Sequence, residues 1–407
     1  RQFYRFLMIE SFNLDKTYQY LLIALAFLLP LTVFGGNVVV VLIVVLWLIS
    51  GNYKNKLNEI FANKLMIASI IFFSLHVIGL IWTEDLKWGL HIVHKMWYFL
   101  LLYPILFTIV KKKYIKYYVT SFLLAMTLTE VVSYLVWFEI LPPFKNATVI
   151  NPTPFMSHVS YNPILAFAIY LVLNQTFFNS KLSKPLFLLY SFFAVTMSIN
   201  MFITGGRSGQ VMFFVMLTIF IFQFFSFQKI KSLLAILILI PSVFFTAYQT
   251  SPLFEERVDL ATFNIINYSD NKSSSVGQRI TIALNSWSVI KKNLLFGIGT
   301  GDFPNEYRKI NQINTPQLPA TTNPHNMYTL IAMQLGLVGL ISMFSIFYLQ
   351  IKRSLVTSNQ FIRDVGLVLP ILFLVIMWSD SYLLGHYTTL LFVFFSSFIH
   401  KDFDKIE

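Results

Sequence analysis

The sequence predicts an all-α, polytopic membrane protein with about twelve transmembrane helices. Hydrophobic residues make up 56% of the 407 residues and charged residues only 12%, and the mean hydropathy is +0.67. A soluble protein of this length needs far more charge to keep its surface hydrated. A bilayer core of roughly 30 Å takes about 20 mostly apolar residues per helical crossing, and such runs recur along nearly the whole chain.

Twelve apolar runs mark the predicted spans, with boundaries defined to within a few residues. They lie near residues 18–34, 37–50, 65–82, 91–110, 117–140, 161–177, 186–203, 209–227, 233–249, 326–350, 365–380 and 388–400. The polar segment ahead of the first span, which includes Asp15 and Lys16, contains no small-residue cleavage site. We therefore expect the first span to be a retained helix rather than a signal peptide.

One long polar interruption, residues 250–325, divides the chain into three predicted parts. An N-terminal bundle of about nine spans occupies residues 1–249, and about three further spans occupy residues 326–407. A loop of this length is usually functional or disordered. We expect it to contain short helices and most of the chemistry of the protein.

The distribution of cations predicts which side each loop faces, because Lys and Arg accumulate in cytoplasmic loops. If both termini are cytoplasmic, the short outer loops hold only Lys87, Lys95, Lys145 and Arg207 of the 30 Lys and Arg residues. The cytoplasmic set then includes Arg1, Arg5 and Lys405 near the two ends. The loop 250–325 is therefore predicted to lie outside, and the net charge of +12 is attributed to topology rather than to nucleic-acid binding.

The absence of certain features excludes several kinds of chemistry. The chain has no cysteine, which rules out disulfides, thiolate catalysis and Cys-based metal sites. No histidine and carboxylate pair has metal-ligand spacing, so we predict neither a metal nor another cofactor. We find no internal repeat, which argues against an inverted-repeat transporter.

Within the long loop, residues 276–296 have the apolar spacing of an amphipathic helix. The apolar positions include Leu284 and Trp287, and we predict that this helix lies along the membrane surface. A glycine-rich run, Gly297–Gly301, then ends it. Its backbone N–H groups could hold a phosphate, but it lacks the lysine and the following helix of a P-loop, which favours a plain turn.

Arg207 stands out because cations are depleted from short outer loops. It lies in Thr204–Gly209, between two adjacent spans. Two interpretations remain open from residue type alone. The guanidinium either reaches lipid headgroups or forms an anion site in which the glycines let backbone and arginine approach a phosphate together.

His325 precedes Asn326 at the start of a long apolar helix, with Gly336 and Gly339 further along. Eleven residues separate His325 from Gly336, which at about 100° per residue returns to nearly the same helix face. We expect the glycines to permit close helix packing beneath the histidine. A helix N-terminus and nearby arginines disfavour protonation of the imidazole, so it could act as a general base. A histidine at a helix start is also often a capping or interfacial residue.

Other polar residues near the predicted outer ends carry weaker signals. Lys95 is a reasonable phosphate contact, because ionisable groups in a membrane usually face a cavity. Interfacial positions are favoured for the remaining ones, which are His91, His94, His158, Tyr161, Asp380 and His386.

Together these segments resemble the bacterial O-antigen ligase and O-antigen polymerase superfamily of membrane glycosyltransferases. His325-Asn326, nine residues and then Gly336-Leu337-Val338-Gly339 resemble the ligase pattern H-[N/S/Q]-x9-G-x-x-G. Residues 277–299 resemble the arginine-containing outer helix of the family with its Phe-Gly-x-Gly turn, and residues 204–208 resemble its T-x-S/G-R segment. The specific resemblance covers residues 204–345, about a third of the chain.

The resemblance implies a transferase that takes a glycan from undecaprenyl diphosphate at the periplasmic face of the bacterial inner membrane. Arg207 and Arg279 would bind the diphosphate leaving group, and His325 would orient or deprotonate the acceptor hydroxyl. Lys95, Arg308 and Asn326 would contact the substrates. Lipid A–core is the acceptor in the ligases, and membrane lipids would surround the protein. Because a diphosphate is a good leaving group, a metal is not obligatory, and attack from the opposite face would invert the anomeric centre.

Four alternatives differ in what the protein does with the lipid-linked glycan. The histidine pattern favours an O-antigen ligase over an O-antigen polymerase, which joins lipid-linked repeats, and over a protein O-oligosaccharyltransferase. A transporter of lipid-linked sugars would need broken helices and polar groups near the middle of the membrane. The predicted spans have few charges at their centres, which disfavours a transporter.

Overall fold

The computed structural model describes residues 14–145, 147–226 and 228–403, and all regular secondary structure in these ranges is helical. Arg1, Arg5 and Lys405, which enter the charge argument above, lie outside the described residues. The α-helices are α1 (Leu14–Leu28), α2 (Val33–Ile49), α3 (Tyr53–Ala62), α4 (Lys64–Ile78), α5 (Leu86–Trp97), α6 (Tyr103–Ile109), α7 (Ile115–Trp137), α8 (His158–Phe178), α9 (Lys184–Ile203), α10 (Arg207–Phe224), α11 (Lys229–Thr250), α12 (Pro252–Ile266), α13 (Ser275–Ile290), α14 (Phe303–Asn314), α15 (Met327–Val356), α16 (Gln360–Ile376) and α17 (His386–Ile399).

Every predicted span coincides with helix, but not every helix is long enough to cross a bilayer alone. Among the described residues, six helical segments are long and apolar enough, or seven if the bent pair α2 and α3 counts as one. These six are Leu86–Ile109, Lys112–Trp137, Lys184–Ile203, Arg207–Phe224, Lys229–Thr250 and Met327–Val356. The all-helical class is confirmed, and the count of twelve spans stays a prediction.

Two departures from the predicted spans have local causes. The first span ends early, at Leu28, because Thr32 starts a new helix: its hydroxyl accepts a hydrogen bond from the backbone N–H of Gly35 at 3.3 Å. Helix α3 was not predicted from the sequence, and it follows α2 after a bend of 115°. Asn52 sits in the left-handed region between them (φ 54°), a conformation that asparagine tolerates in turns.

The helix ends divide the bundle into two chemically different faces. Four connections lie at one end of the bundle: α7 to α8, α9 to α10, α11 to α15 and α16 to α17. The third of these contains α12, α13 and α14. We call this end of the bundle the loop face. At the opposite end the connections are rich in lysine and arginine, and several of these cations form ion pairs, including Lys111 with Asp15, Arg353 with Asp402, and Lys401 with Glu59.

At Gly336, the helix α15 is interrupted by the chain that follows α13. Gly336 has φ 62° and ψ −153°, a non-helical conformation inside α15. The break frees backbone groups on both sides, and residues 294–299 supply their partners. The N–H groups of Leu337 and Val338 donate to the carbonyl oxygens of residues 294 and 295 at 2.8 and 3.2 Å. In return, the N–H groups of residues 298 and 299 donate to the carbonyl oxygens of residues 333 and 334 at 2.8 and 3.1 Å. The loop is thereby joined to a helix of the bundle through four backbone hydrogen bonds.

This interruption overturns the expectation that His325, Gly336 and Gly339 share one continuous helix face. A common face for these residues requires a regular helix of 3.6 residues per turn, whereas α15 changes direction at Gly336. Gly336 does permit close approach, but to the backbone of Leu295 rather than to a neighbouring helix, since an added Cβ would lie 2.4 Å from that carbonyl oxygen. Gly339 faces side chains of its own helix.

Replacing Gly336 with alanine should destabilise the protein by about 3 kcal/mol or more. The side chain would be forced into a φ/ψ region that is essentially restricted to glycine and would collide with the backbone at 2.4 Å. Thermal unfolding of the protein in detergent measures the effect. Gly51→Ala is the matched control, because Gly51 also has positive φ (63°) but nothing lies within 4 Å of the added Cβ. Equal melting temperatures for the two variants would contradict the proposed role of the interruption.

Candidate active site

A buried asparagine on α8 holds the turn that presents Arg207. Asn162 is fully buried. Its Nδ2 donates to the carbonyl oxygen of Gly206 at 3.3 Å, and its Oδ1 accepts a hydrogen bond from the hydroxyl of Thr204 at 2.9 Å. Gly209 packs directly against it, because an added Cβ would lie 2.1 Å from the Cβ of Asn162. The turn is therefore fixed, and Arg207 begins α10 at the loop face.

Arg207 forms a cationic cluster with two arginines from other helices. Arg207 lies within electrostatic range of Arg257 on α12 and of Arg279 on α13, both of which repel it, and of Glu256, which attracts it. None of the ion pairs among the described residues includes any of the three arginines. The Nε of Arg257 is also buried without a hydrogen-bond partner in the described part of the chain. Unpaired guanidinium groups held close together are the arrangement that binds a multiply charged anion.

His325 is held in a strained backbone conformation next to a polar hub. It has φ 50°, which is uncommon for a residue other than glycine and requires support from its surroundings. The amide oxygen of Asn323 provides that support: it accepts hydrogen bonds from the backbone N–H of His325 at 3.0 Å and from the hydroxyl of Ser381 at 2.8 Å. The Nδ2 of Asn323 donates to Asp380 at 3.3 Å.

Asp380 faces the imidazole of His325 directly. Its Oδ1 lies 3.3 Å from Nδ1 of His325, at ion-pair distance but outside good hydrogen-bond alignment, since Nδ1 has no aligned partner among the described residues. The side chain of His325 remains 42% exposed, which leaves the imidazole open to a substrate. A carboxylate at Nδ1 favours the tautomer with the proton on Nδ1 and leaves Nε2 free to accept one.

The surroundings of Asp380 keep its carboxylate charged. Burial alone would raise its pKa, but the interaction with His325, the hydrogen bond from the backbone N–H of Ser381 and the charge of Arg279 outweigh burial. The pKa of Asp380 is therefore held below its ordinary range. Charged Asp380 can orient the imidazole and stabilise the imidazolium that forms when His325 takes up a proton.

Arg279 and Tyr382 connect the arginine cluster to this pair. Arg279 is within electrostatic range of Arg207, Asp380 and Tyr382. The hydroxyl of Tyr382 interacts with Ser208, the residue after Arg207. Arg279 therefore lies in electrostatic range of both Arg207 and the Asp380 carboxylate that faces His325, and all of these residues lie at the loop face.

The three other predicted substrate contacts have different positions. Lys95 lines a cavity together with Asp380. Arg308 is exposed on α14, and no described contact joins it to the cluster. Asn326 uses its side chain inside the protein: Oδ1 caps α15 by accepting from the N–H of Thr329 at 3.0 Å, and Nδ2 donates to the carbonyl oxygen of Trp378 at 3.3 Å.

The glycine run 297–301 forms a turn and does not offer a phosphate cradle. All five backbone N–H groups are used within the protein, with acceptors in residues 79, 83, 293, 333 and 334. The preceding helix also differs in detail from the prediction, because α13 ends at Ile290 rather than near residue 296. Leu284 and Trp287 of its predicted apolar stripe are 57% and 53% exposed, so this face points away from the protein.

Comparison with known proteins gives one finding. Residues 192–344 match the sequence model of a family described as O-antigen ligase. The resemblance to the O-antigen ligase superfamily is confirmed. The segment shared with the O-antigen ligase family covers more than a third of the chain and includes Arg207, Arg257, Arg279 and His325, whereas Lys95 and Asp380 lie outside it. A search of curated proteins found no match.

The family match and the long apolar helices together indicate a multi-pass membrane protein. Sequence reasoning found Arg207, Arg279 and His325 through the motifs of the O-antigen ligase family. It left a functional role for Arg257 open, treated Asp380 as interfacial, and did not single out Asn323. A partial signal for Asp380 was its position at the end of the predicted span 365–380, because ionisable side chains within a span are rare.

Proposed function

We propose that this protein is an O-antigen ligase that transfers a glycan from undecaprenyl diphosphate to a sugar hydroxyl of lipid A–core. The observation that carries the proposal is a group of three arginines without ion-pair partners at one face of a helical bundle, of which Arg279 also lies in electrostatic range of the Asp380 that faces His325. Such a site can hold an anionic leaving group and deprotonate an alcohol beside it.

The arginine cluster is suited to the diphosphate of the donor. Beside it, an apolar groove of about 1,150 Å³ lies between α7, α9, α10, α11 and the start of α12. Phe202, Ile203, Leu217 and Leu253 line the groove, and so does Glu256, the neighbour of Arg257. Because the groove runs along helices that lead to Arg207 and Arg257, it supports binding of a polyprenyl chain with its diphosphate at the arginines.

The proposed reaction is a direct displacement at the anomeric carbon of the donor sugar. The acceptor oxygen attacks that carbon while Nε2 of His325 accepts the hydroxyl proton. The bond between the anomeric carbon and the diphosphate oxygen breaks, and its electron pair leaves with undecaprenyl diphosphate. Guanidinium groups of Arg207, Arg257 and Arg279 stabilise the charge that develops on the leaving oxygen. Attack opposite the leaving group inverts the anomeric centre.

The chain supplies the charges that this displacement needs. A diphosphate is already a good leaving group once its charge is compensated. Among the described residues no group of three His, Cys, Asp or Glu is arranged to hold a metal ion, and metal independence remains part of the proposal.

The predicted topology supports a site on the periplasmic side of the inner membrane. Lysines and arginines are concentrated at the end of the bundle opposite the site, which the positive-inside rule assigns to the cytoplasm. Lipid-linked glycan and lipopolysaccharide acceptor would then both reach the loop face from the outer leaflet, and both termini would be cytoplasmic.

Deletion of the gene from its source bacterium tests the proposed acceptor. Loss of a ligase should leave lipid A–core without polysaccharide while polymerised, lipid-linked glycan accumulates. Core capped with a single repeat would instead identify a polymerase, and loss of glycan from proteins would identify a protein O-oligosaccharyltransferase. An unchanged lipopolysaccharide and protein glycan profile would contradict the transferase proposal and leave a transporter as the alternative.

A further inference from the structure

A second cavity lies beside Asp380 of the His325–Asp380 pair. It has a volume of about 360 Å³ and is bounded by α5, the start of α8, the segment before α15 and the segment between α16 and α17. Its polar lining includes Trp88, Lys95, Ser160, Asn323, Asp380 and Ser381. None of the three clustered arginines and none of the residues of the apolar groove line it.

The cavity shares a wall with the catalytic pair. Asp380 lines the cavity and also lies 3.3 Å from Nδ1 of His325. Asn323, which lines the cavity too, binds the backbone N–H of His325. His325 itself does not line the cavity, so a hydroxyl group at this wall lies next to the carboxylate that contacts the imidazole.

One face of α5 also lines the cavity. Trp88, Ile92 and Lys95 have the i, i+4, i+7 spacing that places side chains on one side of a helix, and all three line the cavity. Asp85 caps this helix, because its carboxylate accepts a hydrogen bond from the backbone N–H of Trp88 at 2.9 Å. Trp88 and Lys95 are both half-buried, and Lys95 takes part in none of the ion pairs of the described chain.

These side chains have complementary binding properties. An indole offers a flat apolar surface and an N–H donor, which suits the apolar face of a sugar ring and its hydroxyl rim. An unpaired lysine in a partly buried setting attracts a phosphate or carboxylate. Ser160 and Ser381 add hydroxyl groups that can bind other sugar hydroxyls.

We propose that this cavity is the acceptor subsite and that it takes a saccharide with an anionic substituent. The sugar ring packs on Trp88, the anionic group binds Lys95, and the reactive hydroxyl points to His325. This inference rests on the proposed glycosyl transfer, and it assigns donor and acceptor to separate cavities.

Steady-state transfer by purified protein, with donor and acceptor varied in turn, tests the assignment. Lys95→Gln should raise the acceptor KM roughly tenfold or more, with kcat at saturating acceptor and donor KM near the wild-type values. Lys95→Arg should recover much of the loss. With an acceptor from which phosphate has been removed, wild type and Lys95→Gln should have the same KM. Trp88→Leu should raise the acceptor KM with either acceptor.

Lys87→Gln is the matched control, because Lys87 lies on α5 but does not line the cavity, and its acceptor KM should match wild type. The inference is wrong if Lys95→Gln raises the KM equally for the charged and the dephosphorylated acceptor, or if donor KM changes instead. It is also wrong if wild type transfers glycan and Lys95→Gln has wild-type kinetics. If correctly folded wild-type protein transfers no glycan, the proposed function itself is wrong. That result differs from a failure of the acceptor assignment, in which wild type transfers glycan.

Discussion

Replacing His325 with alanine should lower kcat for glycan transfer by about 10²–10⁴-fold, the usual contribution of a general base. In the proposed mechanism Nε2 of His325 accepts the hydroxyl proton, and the arginines proposed to bind the diphosphate are unchanged in this variant. Donor KM should therefore stay near its wild-type value. Transfer assays with purified protein measure both constants, and His94→Gln, at an exposed histidine on α5, is the control for loss of an imidazole.

Asp380→Asn should reproduce a large part of this loss, although it keeps the shape of the side chain. The carboxylate has a pKa below its ordinary range, so it is charged above mildly acidic pH, and its stabilising pairing with His325 is lost only as the pH falls through that lowered pKa. At neutral pH the substitution therefore removes a full negative charge from the imidazole. Wild-type kcat in both His325→Ala and Asp380→Asn would mean that the pair does not take part in proton transfer.

Arg207→Gln and Arg279→Gln should each lower transfer by about 10²–10³-fold, because each removes a cation aimed at the departing diphosphate. Arg257→Gln should weaken transfer too, since its Nε is buried and unpaired. These three variants should also bind undecaprenyl diphosphate less tightly, unlike His325→Ala. Lysine at these positions should restore only part of the activity, because an ammonium group does not reproduce the planar, bidentate contact of a guanidinium.

Lys291→Gln provides the control for charge alone, because Lys291 follows α13, the helix that carries Arg279, and is exposed. The losses at the three arginines should be less than additive when combined, since they act on one leaving group. Wild-type donor binding in all three arginine variants would contradict the assignment of the diphosphate to this cluster.

The motif residues could be predicted from sequence because each lies in a short local pattern. Arg207 stands out as a cation in a short outer loop, and His325 and Arg279 lie in segments similar to those of the O-antigen ligase family. Asp380 could not be found in this way, because it meets Asn323 across 57 residues of sequence. That contact depends on how α15, α16 and α17 pack, and no local period encodes it.

The predicted packing at Gly336 failed for a similar reason. Helical periodicity describes one uninterrupted helix, but the hydrogen bonds that stabilise the break come from residues 294–299. The sequence marks both partners with glycine, at Gly297, Gly299 and Gly336, all with positive φ. It does not indicate that the segment with Gly297 and Gly299 forms hydrogen bonds to the helix on both sides of Gly336. Apolar span positions, in contrast, were predictable because burial in lipid or protein requires long apolar runs wherever a helix crosses.

A structure of the protein with bound undecaprenyl diphosphate tests the central claim most directly. The diphosphate should lie among Arg207, Arg257 and Arg279, with its polyprenyl chain along the groove that contains Phe202 and Leu217 and with its free phosphate oxygen facing His325. A diphosphate bound at the lysine-rich end of the bundle, with the three guanidinium groups left without contact to it, would contradict the account.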